Sequence, residues 1–269
     1  MNLLLIGCGN IGKALLHLWA PLNNLFERIV VVQPSMSHAN NFINSHSIEF
    51  VNSINSVAEN FLADLIILAI KPQTIGEVMP ELVQRIDNSI IVSMLAGINL
   101  AQLSSFLPNQ SRVVRLMPNI AIKTGQSINL FFSKKNLVAQ DVNIIESAFK
   151  PSGMIFWLDK ESDIDILTPI SGSGPAYFFL LSEILLAETI KFGIDENIAC
   201  KLVQQIFLGS ASLVEKNNNF QNLTSSVASK KGVTEEALKV LKPNIEQAME
   251  KALKAALKRS KELSNENCY

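Results

Sequence analysis

Six short runs in the first half of the chain leave it little choice of architecture. Residues 3–7, 29–33, 48–51, 64–70, 89–95 and 112–117 are mostly rich in Leu, Ile and Val, and most are apolar nearly throughout, as in LLLIG and IVVVQ. A strand with one wet face alternates apolar and polar residues, whereas a strand covered on both faces does not. The runs therefore predict a parallel sheet with helices on either side. The segments between them, 11–19, 55–61, 75–86 and 100–106, are predicted to supply those helices. Two further strands, 127–132 and 154–158, are expected around a helix near 137–149.

After Asp159 the texture changes. From Ile164 the pattern is helical almost to the end, broken at TPISGSGP, FGIDE, NNNFQN and SKKGVT. A boundary near Lys160 would divide the chain into domains at 1–160 and 161–269. The helix expected from Gly174 is apolar nearly all round, so it needs a core larger than one small bundle provides. A dimer of interleaved helices is the simplest way to bury it. The stretch YFFLLSEILLAETI is interrupted by Ser182, Glu183 and Glu188 and reads as too short to span a bilayer.

Composition narrows the partners. At 269 residues and 48% hydrophobic the chain can bury a large core, and a net charge of −1 creates no general field for nucleic acid or an acidic membrane surface. Any anion site must be local. The start, MNLLLIGCG, lacks the basic region of a signal peptide, so a soluble protein is expected. Cys8, Cys200 and Cys268 are too scattered for a disulfide framework, which fits a reducing cytoplasm. His17, His38 and His46 do not cluster with cysteines or carboxylates, so no metal centre is expected.

The first chemical motif is GCGNIG, directly after a strand and opening a helix. Gly7 permits the tight turn, Gly9 lets a pyrophosphate approach the backbone, and Gly12 lets the helix close on the strand. Asn10 and Ile11 then begin a helix whose N-terminus favours an anion. In this setting the motif predicts dinucleotide binding; a glycine-rich structural turn is the plainer alternative. The second strand ends in VVVQPSMSH. NAD-selective folds usually carry an Asp or Glu there for the ribose hydroxyls. Here Gln33 is followed by Ser35, Ser37 and His38, so no carboxylate repels a 2′-phosphate. NADPH is the expected cofactor, with NADH possible.

Five segments, LLLIGCGNIGKAL, ADLIILAIKPQ, SMLAGINLAQL, RVVRLMPN and SGSGPAYFFLLSE, stand in the order and spacing found in pyrroline-5-carboxylate reductases. The resemblance runs over essentially the whole chain. It implies an N-terminal Rossmann-like doubly wound domain, an all-α dimerisation domain that often assembles further, and hydride transfer from NAD(P)H to a cyclic imine, the last step of proline synthesis. AIKPQ and MPN each follow a predicted strand, at the carboxyl edge where such sheets bind ligands. Ala69, Lys71, Pro72, Met117 and Pro118 are therefore assigned to the cofactor, and Asn119 and Ser173 to the small-molecule substrate. Lys71 reads either as a catalytic acid or as part of a fixed turn whose backbone lines the nicotinamide. An iminium arrives already protonated, which favours the turn.

In the family, a segment close to Ser-Pro-Gly-Gly-Thr/Ala-Thr between two helices holds the substrate carboxylate and faces the ring nitrogen. Here it reads SKKGVT. Ser229, Gly232 and Thr234 match the pattern and take the catalytic positions by resemblance. Lys230 replaces the Pro, Lys231 the first Gly, and Val233 the variable residue; all three are assigned to the substrate. The two lysines either supply charge to the carboxylate or are solvated. Losing a Gly removes a residue suited to left-handed backbone. A second departure is MPNIAIKTGQS, where relatives typically have Thr-Pro after the Asn. Two alternatives follow: a reductase of another cyclic imine or small carbonyl acid, or a non-catalytic dinucleotide-binding paralogue.

Overall fold

A computed structural model describes residues 1–22, 24–35, 42, 47–134 and 137–266. Among them, eight strands form one sheet: β1 (Asn2–Ile6), β2 (Arg28–Val32), β3 (Ile48–Val51), β4 (Leu65–Leu68), β5 (Ile90–Ser93), β6 (Arg112–Met117), β7 (Ser127–Ser133) and β8 (Gly153–Trp157). Their spatial order is β3-β2-β1-β4-β5-β6-β7-β8. All neighbours are parallel except β6 and β7. A 3₁₀ turn at Ile120–Thr124, closed by Gly125 at φ 70°, reverses the chain between those two strands. So short a link cannot make the crossover a parallel pair needs.

The strands separate two apolar layers. Leu3 and Leu5 face a core with Leu15, Trp19, Phe131 and Phe149. Leu4 and Ile6 face another with Ile75, Met79, Leu82 and Leu103. Alternate side chains of one strand thus feed opposite cores, which is why the central strands are apolar at nearly every position. The covering helices are α1 (Asn10–Trp19), α2 (Ile75–Leu82), α3 (Leu100–Ser104) and α4 (Ala139–Phe149). Trp19 Nε1 donates to the Ala148 carbonyl at 2.7 Å, tying α1 to α4.

One expected helix is absent. Residues 55–61 contain only the end of a 3₁₀ turn, Ile54–Ser56. Ser53 Oγ and Ser56 Oγ share a hydrogen bond of 2.8 Å, and Ser56 donates to Asn52 Oδ1 at 2.9 Å. Such local bonds to side chains compete with helix formation.

The remaining helices are α5 (Ser162–Ser171), α6 (Gly174–Lys191), α7 (Glu196–Lys216), α8 (Phe220–Val227) and α9 (Val233–Glu266). The chain divides into two compact units: Met1–Gly172 with Leu257–Tyr269, and Ser173–Ala256. In the first, Arg115 of β6 is 4% exposed and pairs with Asp165 at 2.8 Å and Glu161 at 3.5 Å. Glu161 also accepts the Leu100 N–H at 2.6 Å, so one carboxylate joins α3, β6 and the start of α5. In the second unit α6 packs on α7, and no residue of α6 is buried.

The apolar stretch expected to be too short for a membrane needs correction. Ser162–Lys191 is a helical run of 30 residues, long and apolar enough to cross a bilayer by length and composition. The break expected at TPISGSGP is confined to Gly172 and Ser173; Pro169 lies inside α5. Only 6% of the run's most apolar window is buried. Glu188 and Lys191 pair at 2.6 Å on its surface.

Candidate active site

The sheet order reverses direction between β1 and β4, whose following loops diverge and leave a crevice at the carboxyl edge. The glycine loop leaves β1 here. Gly7 has φ 94° and donates its N–H to the Val32 carbonyl at 2.9 Å. A Cβ on it would lie 2.7 Å from the Ala69 carbonyl oxygen, and one on Gly12 would lie 2.6 Å from that of Gly7. Both positions are closed to any side chain. A Cβ on Gly9 would meet nothing within 4 Å. The loop is therefore open on one side, above the N-terminus of α1, where the first N–H groups have no partner within the helix. Room for backbone approach together with unsatisfied donors fits a pyrophosphate.

Two cavities flank this loop. One, of about 440 Å³, is lined by Gly7, Gly9, Gln33, Ala69 and Lys71 among others. The second, of about 560 Å³, is lined by Asn10, Ile11, Lys71, Met94, Met117 and Pro118, with Lys13 and Ala96. Gly9, Ala69, Ile70 and Lys71 line both, so the cavities are two lobes of one crevice.

The turn after β4 is rigid. The Lys71 carbonyl accepts Thr74 N–H at 3.0 Å and Thr74 Oγ1 at 2.9 Å, and Pro72 starts the 3₁₀ turn. Cys8, inside the glycine loop, is buried, and burial pushes its thiol above the ordinary value against the opposing pull of Lys13. It stays a neutral filler rather than a nucleophile at neutral pH.

Some expected residues lie elsewhere. Gly12 and Pro72 shape the loops without lining either lobe, and Ser35 is not on their walls. Ser37 and His38 fall outside the described residues. Asn119 is 6% exposed; its Nδ2 donates to the Ser171 carbonyl at 2.8 Å and its Oδ1 accepts Ala121 N–H at 3.1 Å. Its amide holds the end of β6 to the end of α5. Asn52, Ser53, Glu77 and Glu81 line the first lobe and carried no role in the sequence reading. Asn52 directly follows β3, so the carboxyl-edge rule applied to that strand would have found it.

The SKKGVT loop belongs to the second unit. Ser229 O accepts Gly232 N–H at 2.9 Å, closing a turn, and Gly232 O accepts Glu236 N–H at 3.2 Å as α9 begins. Lys231 adopts φ 57°, so the left-handed conformation survives without glycine. Its N–H donates to the Glu235 carboxylate, which leaves the first N–H groups of α9, on Val233 and Thr234, as the loop's open donors. Lys230 and Lys231 are exposed, with no ion pair among the described residues. A Cβ on Gly232 would fall 2.3 Å from Ser229 Oγ and 2.9 Å from Ser229 O. Ser173 sits at the N-terminal boundary of α6, and its carbonyl accepts Ala176 N–H at 2.9 Å.

A glycine-floored crevice at the strand-order switch makes the first unit a Rossmann-type dinucleotide-binding domain. Residues 2–97 match the family model described as NADP oxidoreductase, coenzyme F420-dependent, and residues 161–263 match that for pyrroline-5-carboxylate reductase dimerisation. The chain belongs to the pyrroline-5-carboxylate reductase family. It is 33% identical to the pyrroline-5-carboxylate reductase of Haemophilus influenzae over 263 residues, 96% of each chain. The solved structure of a pyrroline-5-carboxylate reductase from Coxiella burnetii matches with a TM-score of 0.88 at 29% identity, covering 98% of both chains. That of the Plasmodium falciparum pyrroline carboxylate reductase with NADP bound matches at 0.84 and 28%, again over 98% of both.

Proposed function

We propose that this chain reduces L-1-pyrroline-5-carboxylate to L-proline with NADPH, as a soluble cytoplasmic homo-oligomer. The observation that carries this reading is the whole-length likeness to the Haemophilus influenzae reductase, 96% of each chain. It gives no support to a different imine or a non-catalytic role. The NADP bound to the Plasmodium falciparum relative and the open space over Gly9 support the cofactor. By function the division falls near Lys160, with 1–160 binding the dinucleotide and 161–269 serving assembly and substrate.

When bound, the reduced nicotinamide supplies a hydride, which adds to the C=N carbon while the C=N π pair moves onto the already protonated nitrogen. The chain's own task is to position and to shield. N–H groups at the start of α1 receive the pyrophosphate charge. Met94, Met117 and Pro118 give the second lobe apolar walls that exclude water. Ser229, Gly232 and Thr234 hold the imine: the N–H groups at the start of α9 take the carboxylate and the Thr234 hydroxyl faces the ring nitrogen. Lys230, Lys231 and Val233 border that loop, and Asn119 and Ser173 support the turns beside α5 and α6. Because the iminium brings its own proton, no strong enzyme acid is needed.

The test is to follow NADPH absorbance with L-pyrroline-5-carboxylate for the natural chain and for Thr234→Val. Turnover by the former and a drop in kcat/KM of about 10–100-fold in the latter, at unchanged NADPH affinity, is the expected result. A chain that binds NADPH but leaves the imine unreduced overturns the substrate assignment.

A further inference from the structure

Lys231 is the only residue other than glycine at positive φ among the described residues, at 57°. It stands third in the turn ahead of α9 that Ser229 O closes by accepting the Gly232 N–H at 2.9 Å. That slot of a four-residue turn suits glycine or asparagine, and a lysine there needs something to hold it. The turn's closing bond and the first bond of α9, from Glu236 N–H to Gly232 O at 3.2 Å, involve no group of Lys231. A capping side chain at position 232 is also excluded, because a Cβ there would fall 2.3 Å from Ser229 Oγ.

Glu235 supplies the hold. It is the third residue of α9, and its carboxylate reaches back to accept the Lys231 N–H. This is the reach of a capping-box glutamate, directed one residue further out because the Gly232 N–H is already taken. Glu235 enters no ion pair among the described residues, while its neighbour Glu236 pairs with Lys239 at 2.6 Å. Two adjacent glutamates thus do different work. We propose that Glu235 is a positioning residue for the reduction: by holding Lys231 in the left-handed conformation, it keeps the loop in its binding shape and leaves the Val233 and Thr234 N–H groups open to the imine's carboxylate. The inference rests on the reading of SKKGVT as the loop that takes the imine. Lys230 and Lys231, both exposed on this turn, outnumber the Glu235 charge, so the loop stays open to an anion. A loop that holds its binding shape only part of the time lowers apparent affinity by that fraction, and saturating substrate restores the shape. Loss of Glu235 therefore raises KM and spares kcat.

Steady-state kinetics with L-pyrroline-5-carboxylate, together with fluorescence titration of NADPH, test this. Glu235→Ala should raise KM for the imine about 5–30-fold, as one residue's aversion to left-handed backbone implies, with kcat and NADPH affinity changed less than about threefold. Glu235→Gln keeps an acceptor without the charge, and its KM should stay within about threefold of the natural chain's. Lys231→Gly added to Glu235→Ala should bring KM back to within about threefold of the natural value. Glycine restores the conformation but not the lost acceptor, so this recovery separates positioning from general stability of the helix. Glu236→Ala, which removes a neighbouring charge of the same sign, should leave KM unchanged. An unchanged KM in Glu235→Ala, a Glu235→Gln variant as impaired as Glu235→Ala, an equal rise in Glu236→Ala, or a double variant with no recovery overturns the assignment. A natural chain that binds NADPH but reduces no imine removes the substrate reading itself, and this inference with it.

Discussion

Three glycines within six residues do three different jobs. Gly7 needs positive φ and close approach to Ala69, Gly12 needs close approach to the Gly7 carbonyl, and Gly9 alone has empty space where a side chain would stand. Substituting each therefore reads a different quantity. Gly7→Ala forces a strained backbone and a clash, and should lower stability by about 2–4 kcal/mol by urea denaturation. Gly9→Val meets no neighbour, so the melting temperature should hold while affinity for NADPH and NADH falls about 100-fold or more by fluorescence titration. Unchanged dinucleotide affinity in Gly9→Val would remove the cofactor site from this loop. Lys231 shows the opposite case. It holds a left-handed conformation that glycine would take freely, at a cost of about 1–2 kcal/mol, and its exposed side chain avoids any added crowding.

At the scale of elements, the sheet positions the crevice and a buried ion pair holds its edge. Arg115 lies in β6, two residues before the Met117–Pro118 wall of the second lobe, and is 4% exposed. Its partners Glu161 and Asp165 are in or beside α5, and Glu161 also takes an α3 N–H. Arg115→Met removes the only cation from this cluster among the described residues and leaves two largely buried carboxylates facing each other. Stability should fall by about 2–4 kcal/mol, measured by urea denaturation. Asp165→Asn combined with Arg115→Met should recover part of the loss, because the stranded charge is then removed as well. A double variant no more stable than Arg115→Met alone would show that the loss lies in packing rather than in charge.

At the scale of the molecule, α6 is the feature a single chain leaves unfinished. Phe178 and Phe179 are each 58% exposed, Leu180 54% and Ile184 51%, on a helix with no buried residue. Apolar exposure on this scale marks an interaction surface. The protein should sediment as a dimer or larger, and Phe179→Arg should dissociate or misfold it, since a charge in an apolar interface lacks a partner. A stable, active monomer would refute the assembly. Membrane insertion is the competing use of this helix, and partition of the natural protein into the aqueous phase after detergent phase separation would exclude it.

Much of this was legible in the amino-acid order because the signals are local. Uninterrupted apolar runs predict strands buried on both faces, and the glycine spacing after β1 places the dinucleotide loop, since each depends on neighbours within a few residues. The SKKGVT loop was legible in the same way, as a turn before a helix start. Tertiary structure alone decided the rest. The antiparallel β7, the Arg115 cluster joining β6 to α5, and the commitment of Asn119 to the Ser171 carbonyl join residues up to 52 positions apart. Gln33 Oε1 accepts the Cys8 N–H from 25 residues away. A sequence lists donors and acceptors; only the folded chain pairs them, because hydrogen bonds and ion pairs act over a few ångströms of space rather than along the chain.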